Sequence, residues 1–266
     1  MTNLGFIGAG NMGMALIRGF FASDAARETK LCIYDIAPQK REMLGNSGFN
    51  VLESETEIAK QCKYIVLACK PQQLSDLLLK IKEYITPETV LISLCAGISA
   101  DFIRRYTIEN AKVVLVMPNM PMLLGEGASA IARDETVSAE EFAFVRRLIE
   151  SCGIAEEIPI DKMNEIICIN ASAPAFIYLF SKCFADYAAG RGIDRKVALN
   201  LFSQTLIGSA KMLIESSKSA EELIAQVTSK GGTTLAGLEQ LYSGGFEETV
   251  KNACESCTNR AYELGM

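Results

Sequence analysis

The sequence predicts an N-terminal α/β domain on a mostly parallel sheet, followed by an all-helical domain. Three observations carry this. Short apolar runs alternate with helical patterns through the first 160 of 266 residues, the signature of βαβ units. A glycine-rich loop joins the first apolar run to the first helical pattern. No β-rich run appears after Ile160. The division falls near Pro159–Asp161, giving domains 1–160 and 161–266. At about 100–200 residues per domain the length fits two.

Leu4–Gly8 reads as the first strand, and a helix follows from Asn11 to Ala22. Lys30–Asp35 is the second strand. Tyr64–Cys69, Val90–Leu94 and Lys112–Met117 are continuous apolar runs, the pattern of strands buried on both faces. Helical stretches between them include Pro71–Tyr84 and Ser99–Tyr106. Asp161 is the expected N-cap of a long helix ending near Gly190. Asp194 caps the next, which sets Val197, Leu201, Thr205, Gly208 and Met212 on one face. A shorter helix begins with Leu235, Leu238 and Leu241, and Phe246 opens the last. The longest charge-free stretch, Ile166–Ser181, is below the ~18 residues that span a bilayer, so no transmembrane helix and no membrane partner are expected.

Composition removes several function classes. Hydrophobic residues make up 49% and charged residues 22%, as in globular proteins. There is no histidine, which excludes Ser–His and Cys–His nucleophiles, imidazole general acids and zinc sites with His ligands. No metal site is expected. The net charge of -6 and the lack of a basic run argue against nucleic acid. An anionic metabolite must then be held by backbone donors or a local cation. The nine cysteines are odd in number and scattered through apolar segments, and no secretory segment precedes Leu4. This points to a reducing, cytoplasmic compartment with thiols used as small hydrophobes. Cys254 and Cys257 share a helical stripe with Phe246, Val250 and Ala261, so both are expected to face a core.

Gly8-Ala9-Gly10-Asn11-Met12-Gly13 fits the dinucleotide-binding pattern G-x-G-x-x-G between strand and helix. Gly8 permits the tight turn, Gly10 lets backbone approach a pyrophosphate, and Gly13 lets the helix pack close to the strand. Asp35 ends the second strand about 20 residues later, placed to accept from a ribose 2′-hydroxyl. It favours NAD, while Lys40 and Arg41 nearby soften its repulsion of NADP. Three more segments lie at carboxyl ends of strands, where open α/β sheets bind ligands: Ala68-Cys69-Lys70-Pro71, Ser93-Leu94-Cys95-Ala96-Gly97, and Met117-Pro118-Asn119-Met120-Pro121. In the helical half, Ser229-Lys230-Gly231-Gly232-Thr233-Thr234 runs into a helix. Two readings stand there: an anion nest of consecutive N–H groups, or a simple helix cap by Thr233.

The ordered set of motifs resembles the pyrroline-5-carboxylate reductase family over nearly the full length. It comprises Gly5–Gly13, Cys69-Lys70-Pro71-Gln72, Ser93–Gly97, Met117-Pro118-Asn119, Gln204–Met212 and Val227–Thr234. The resemblance implies a Rossmann domain and a helical domain that dimerises, often into larger rings. It implies reduction of 1-pyrroline-5-carboxylate, a small cyclic imine, to L-proline with NADPH or NADH, the last step of proline biosynthesis. By the same resemblance, the loop Gly8–Gly13, Asp35, Ala68, Lys70, Pro71, Ala96, Gly97 and Asn119 are cofactor residues. Ser229 and Gly231–Thr234 would hold the substrate carboxylate, and the Thr234 hydroxyl would meet the ring nitrogen as the catalytic group. Three positions depart from the family: Asn170-Ala171-Ser172-Ala173-Pro174 replaces Ser-Gly-Ser-Gly-Pro, Lys230 replaces a proline, and Glu55 replaces an asparagine that faces the cofactor. A protonated imine carries its own activation, so the reaction needs no imidazole. The competing readings are a β-hydroxyacid dehydrogenase or imine-reductase type of enzyme and a non-catalytic nucleotide-binding relative. The dehydrogenases use a lysine on the interdomain helix, and residues Met163 to Phe180 contain none.

Overall fold

The computed structural model describes residues 2–264. The chain forms two compact units, one running to Ser172 and rejoined from Ser256, the other spanning Ala173–Glu255. The first unit contains β1 (Thr2–Ile7), α1 (Asn11–Ala22), β2 (Thr29–Tyr34), α2 (Pro38–Asn46), α3 (Glu55–Gln61), β3 (Tyr64–Leu67) and α4 (Leu74–Ile81). It continues through β4 (Val90–Ser93), α5 (Ala100–Tyr106), β5 (Lys112–Met117), β6 (Gly127–Arg133), α6 (Ala139–Glu150) and β7 (Gly153–Glu157). The sheet order is β2-β1-β3-β4-β5-β6-β7. All neighbours are parallel except β5 and β6.

The continuous apolar runs follow from burial on both faces. Tyr64, Val66, Val90, Ile92, Val114 and Val116 enter one core layer, and Ile65, Leu67, Leu91, Val113 and Leu115 enter the other. Successive strand residues point to opposite faces, so helices on each side of the sheet remove every second residue from water. β6 and β7 carry no such signal. Gly127–Arg133 is mostly small residues, and Gly153–Glu157 buries only Ala155. Sheet pairing, not local propensity, makes them strands.

The second unit contains α7 (Ala173–Gly190), α8 (Arg195–Glu215), α9 (Ala220–Gln226) and α10 (Thr233–Ser243), and α11 (Phe246–Leu264) begins in it. Phe180, Phe184 and Phe202 pack together, with Phe184 and Phe202 stacked at 4.2 Å between centroids, and Phe246 joins at 6.0 Å from Phe180. The expected helix from Asp161 to Gly190 is corrected by the structure. Two 3-10 turns, Ile160–Lys162 and Glu165–Cys168, precede α7, which begins only at Ala173. Pro174 has no N–H to continue an earlier helix, but fits a first turn, where that N–H would lack a partner anyway. The Asp194 cap forms as expected, accepting from the Val197 N–H at 3.0 Å.

No residue of α8 is buried, and Val197, Leu201 and Met212 on its anticipated apolar face are exposed. On α11, Phe246 and Val250 are also exposed, Cys254 and Cys257 are half-buried, and only Ala261 is fully covered. Glu165–Gly190 and Arg195–Glu215 have mean hydropathies of 1.4 and 1.3, enough by length and composition alone to cross a membrane. Isolated charges, Lys182 and Asp186 in the first and Lys211 in the second, interrupt both segments.

On the α6 side of the sheet, the buried Glu141 closes a capping box with Ser138 and accepts from Lys112 Nζ at 2.9 Å, with Lys63 Nζ at 3.1 Å. Burial opposes its ionisation, but Lys112, the Ser138 backbone and Lys63 outweigh this and lower its pKa from 4.5 to about 2. A depressed carboxyl pKa contributes stability above the unfolded value, and that stability is lost as pH falls through the folded value. Glu141→Gln is therefore expected to cost roughly 2 kcal/mol near pH 7. It should also flatten the loss of stability between pH 4.5 and about 2, read by urea unfolding at several pH values.

Candidate active site

β1 lies between β2 and β3, so the chain leaves its carboxyl end first to one side and later to the other. Such a reversal opens a crevice outside the strand ends, where doubly wound sheets bind ligands. The glycine loop lines it. Gly8 has φ +106, and its N–H donates to the Tyr34 carbonyl at 2.8 Å. A Cβ on Gly8 would lie 2.6 Å from the Ala68 carbonyl, and one on Gly13 would lie 2.4 Å from the Gly8 carbonyl. Gly10 is different. It caps α1 with no side-chain hydrogen bond, and a Cβ there would meet nothing within 4 Å. The backbone at the start of a three-turn helix therefore faces open space, with first-turn N–H groups that no side chain caps. That is the geometry a pyrophosphate requires, and these residues fit a dinucleotide.

A cavity of about 460 Å³ adjoins the loop and brings together Gly8, Gly10, Asp35, Ala68 and Lys70. Asp35 is buried, with Oδ2 accepting from the Ala9 N–H at 2.7 Å and Oδ1 from the Ala37 N–H at 2.9 Å. It is thus both a ribose acceptor candidate and a clamp on the glycine loop. Lys40 and Arg41 sit where the sequence placed them. Lys40 Nζ lies 3.6 Å from Asp35 Oδ2, and Arg41 donates to the Asp35 carbonyl at 2.8 Å. Lys70 is exposed and caps the turn that Pro71 opens.

Other anticipated residues lie elsewhere. Gly97, at φ +76, lines a separate hollow of about 370 Å³ with Ser99, Arg104 and Tyr262, while the neighbouring Ala96 packs against the core. Asn119 is buried, its Oδ1 accepting from the Ala128 N–H at 3.0 Å and its Nδ2 donating to the Asn170 carbonyl at 3.3 Å. Asn170 completes this tie by donating to the Met117 and Ala128 carbonyls at 2.6 and 3.0 Å. Its position is readable in the sequence only as a polar residue inside an apolar segment.

Two cysteines at neighbouring strand ends were not anticipated as a pair. Cys95 Sγ donates to the Cys69 carbonyl at 3.4 Å. The neighbouring Cys95 thiol lowers the Cys69 pKa, and Cys69 together with burial raises that of Cys95. The equal offset of Cys69 and Cys95 from the paired Leu67 and Ser93 is the signal that places them side by side.

In the second unit, Gly231 has φ +73 and the Gly232 N–H donates to the Ser229 carbonyl at 2.9 Å, closing a turn. Gly232, not Thr233, is the N-cap of α10, and no side chain caps the helix. Thr233 and Thr234 are exposed in its first turn.

Fold and site together define an NAD(P)-dependent oxidoreductase with a Rossmann unit and a helical unit. Residues 3–97 match the family described as NADP oxidoreductase, coenzyme F420-dependent, and residues 161–264 match pyrroline-5-carboxylate reductase dimerisation. The chain is 34% identical over 263 residues to the pyrroline-5-carboxylate reductase of Methanosarcina acetivorans, covering 98% of this chain and 97% of that one. The Pisum sativum enzyme is 32% identical, with 98% and 95% covered. The crystal structure of Plasmodium falciparum pyrroline carboxylate reductase with NADP bound superposes with TM-score 0.88 at 32% identity, covering 100% of this chain and 98% of that one. The chain belongs to the pyrroline-5-carboxylate reductase family. Its dimerisation match spans α8 and α11, the helices that leave apolar residues exposed.

Gly13→Ala is expected to push α1 away from β1 and weaken NADH and NADPH binding together by at least ~10-fold. Gly45→Ala, where a Cβ meets nothing within 4 Å, should leave both unchanged. Titration by nicotinamide fluorescence reads the difference.

Proposed function

We propose that this chain reduces 1-pyrroline-5-carboxylate to L-proline with NADPH or NADH, acting in the cytoplasm as a dimer or a ring of dimers. The observation that carries the reading is the uncapped α1 N-terminus, with Gly10 facing open space at the sheet's reversal point, in a chain alignable with these reductases over 98% of its length. The bound nicotinamide supplies the hydride that reaches the imine carbon.

The protein's part is binding and orientation. Gly8–Gly13 receive the pyrophosphate on backbone N–H groups, without the global positive charge that the chain lacks. Asp35 accepts from ribose, Lys70 beside Pro71 adds a cation at the end of β3, and Ala68 leaves backbone close to the cofactor, while Ala96 and Gly97, beyond the cavity that adjoins the glycine loop and at the end of β4, would flank it further along the strand ends. Asn119 acts as a positioning residue through its ties to Ala128 and Asn170. In the helical unit the substrate carboxylate is held by Ser229 and the N–H groups of Gly231–Thr234, and the missing side-chain cap on α10 favours this over a simple helix cap. The Thr234 hydroxyl steadies the ring nitrogen, and solvent supplies the proton. No observation favours the dehydrogenase reading: Lys182, the first lysine after residue 163, is paired with Asp186 at 2.7 Å.

Oxidation of NADH and of NADPH in the presence of pyrroline-5-carboxylate tests the reading, and no turnover with either would overturn it. Thr234→Ala is expected to lower turnover at least ~10-fold while cofactor binding is unchanged. Full activity in that variant would remove Thr234 from the site.

A further inference from the structure

We infer that the end of the crevice beside β2 selects a cofactor with a free ribose 2′-hydroxyl, so that the chain takes NADH in preference to NADPH. This rests on the cofactor reading above. In a doubly wound sheet the residues after β2 meet the adenosine ribose, and a carboxylate there accepts from the 2′-hydroxyl but opposes a 2′-phosphate.

Three carboxylates line the cavity, Asp35, Glu55 and Asp76; Asp35 follows β2, and Glu55 and Asp76 open α3 and α4. Asp35 cannot turn away, because each of its oxygens is held by a backbone N–H from a different segment, Ala9 on the glycine loop and Ala37 ahead of α2. Each oxygen keeps a further lone pair for a hydroxyl donor. Glu55 has a side chain only 12% exposed and pairs with Lys80 at 2.9 Å. Burial opposes its ionisation, but Lys80, its own backbone N–H and Tyr34 overcome this and hold its pKa below the usual carboxylate range.

A 2′-phosphate needs cations that are free to turn toward it, and those near β2 are already engaged. Lys40 Nζ lies between Asp35 Oδ2, at 3.6 Å, and the Ala9 carbonyl, to which it donates at 3.3 Å. Arg41 donates to the carbonyls of Asp35 and Ile36 at 2.8 and 3.2 Å and lies over the Tyr34 ring. Lys80 holds Glu55. Lys70 makes no ion pair among the described residues, but it follows β3 rather than β2. To use Lys40 or Lys80, a phosphate would have to break an ion pair and then sit beside the carboxylate that the pair had neutralised, and Arg41 Nη1 is held by two main-chain carbonyls.

Calorimetric titration of the whole protein with four ligands tests this: NADH, NADPH, ADP-ribose and 2′-phospho-ADP-ribose. The unphosphorylated member of each pair is expected to bind at least ~10-fold more tightly, with the gap narrowing as salt rises. Glu55→Gln should narrow the gap at least ~3-fold by improving the phosphorylated ligands. Asp35→Asn keeps an acceptor for the Ala9 N–H and should narrow it further. If Asp35→Asn fails to fold, the wild-type ratios and Glu55→Gln still decide. NADPH binding as tightly as NADH, or more tightly, would overturn the inference and leave the cofactor site standing. Binding of none of the four would overturn the cofactor reading and the inference with it.

Discussion

The structure depends on one close approach between main chains. At the end of β1, Gly8 passes the Ala68 carbonyl so tightly that no Cβ fits, and Gly13 brings α1 equally close to Gly8. Hydrogen bonds from Gly8 to Tyr34 and from Ala68 to Ile7 hold the ends of β1, β2 and β3 together across this point. The contact aims the uncapped end of α1 at the crevice. Asp35 then locks the loop from the β2 side by accepting from Ala9. Binding geometry here is a property of backbone, so few side chains are needed to produce it.

That economy suits a chain with a net charge of -6 and no histidine. Its polar work is done by N–H groups and by locally paired ions. Glu141 is held by two lysines away from the crevice, where it contributes stability. Asp35 and Glu55 are held by one lysine each within the crevice, where the same pairing shapes what the ribose meets. Position in the fold separates these roles, since Glu141 and Asp35 are both buried.

The helical unit follows a different constraint. Its aromatic cluster joins α7, α8 and the start of α11, but α8 buries no residue of its own. That helix, with a mean hydropathy of 1.3, lies within the segment that matches the dimerisation family.

The sequence by itself determined the order and class of most elements and the glycine cradle, because these rest on local signals. Apolar runs reported strands covered on both faces, Asp194 reported a cap, and Gly8 and Gly13 reported a backbone approach that only glycine permits. The tertiary structure decided the rest. β6 and β7 become strands through pairing, since their small and mixed residues have no propensity of their own. Pro174 and Asn170 delay α7, because the segment before it is used to tie Met117 and Ala128. Asn119 turns inward instead of lining the crevice for the same reason. Cys69 meets Cys95, Glu55 joins Asp35, and Lys80 is neutralised by Glu55, 25 residues away. Such contacts depend on strand register and helix placement, which bring together residues that no local pattern connects.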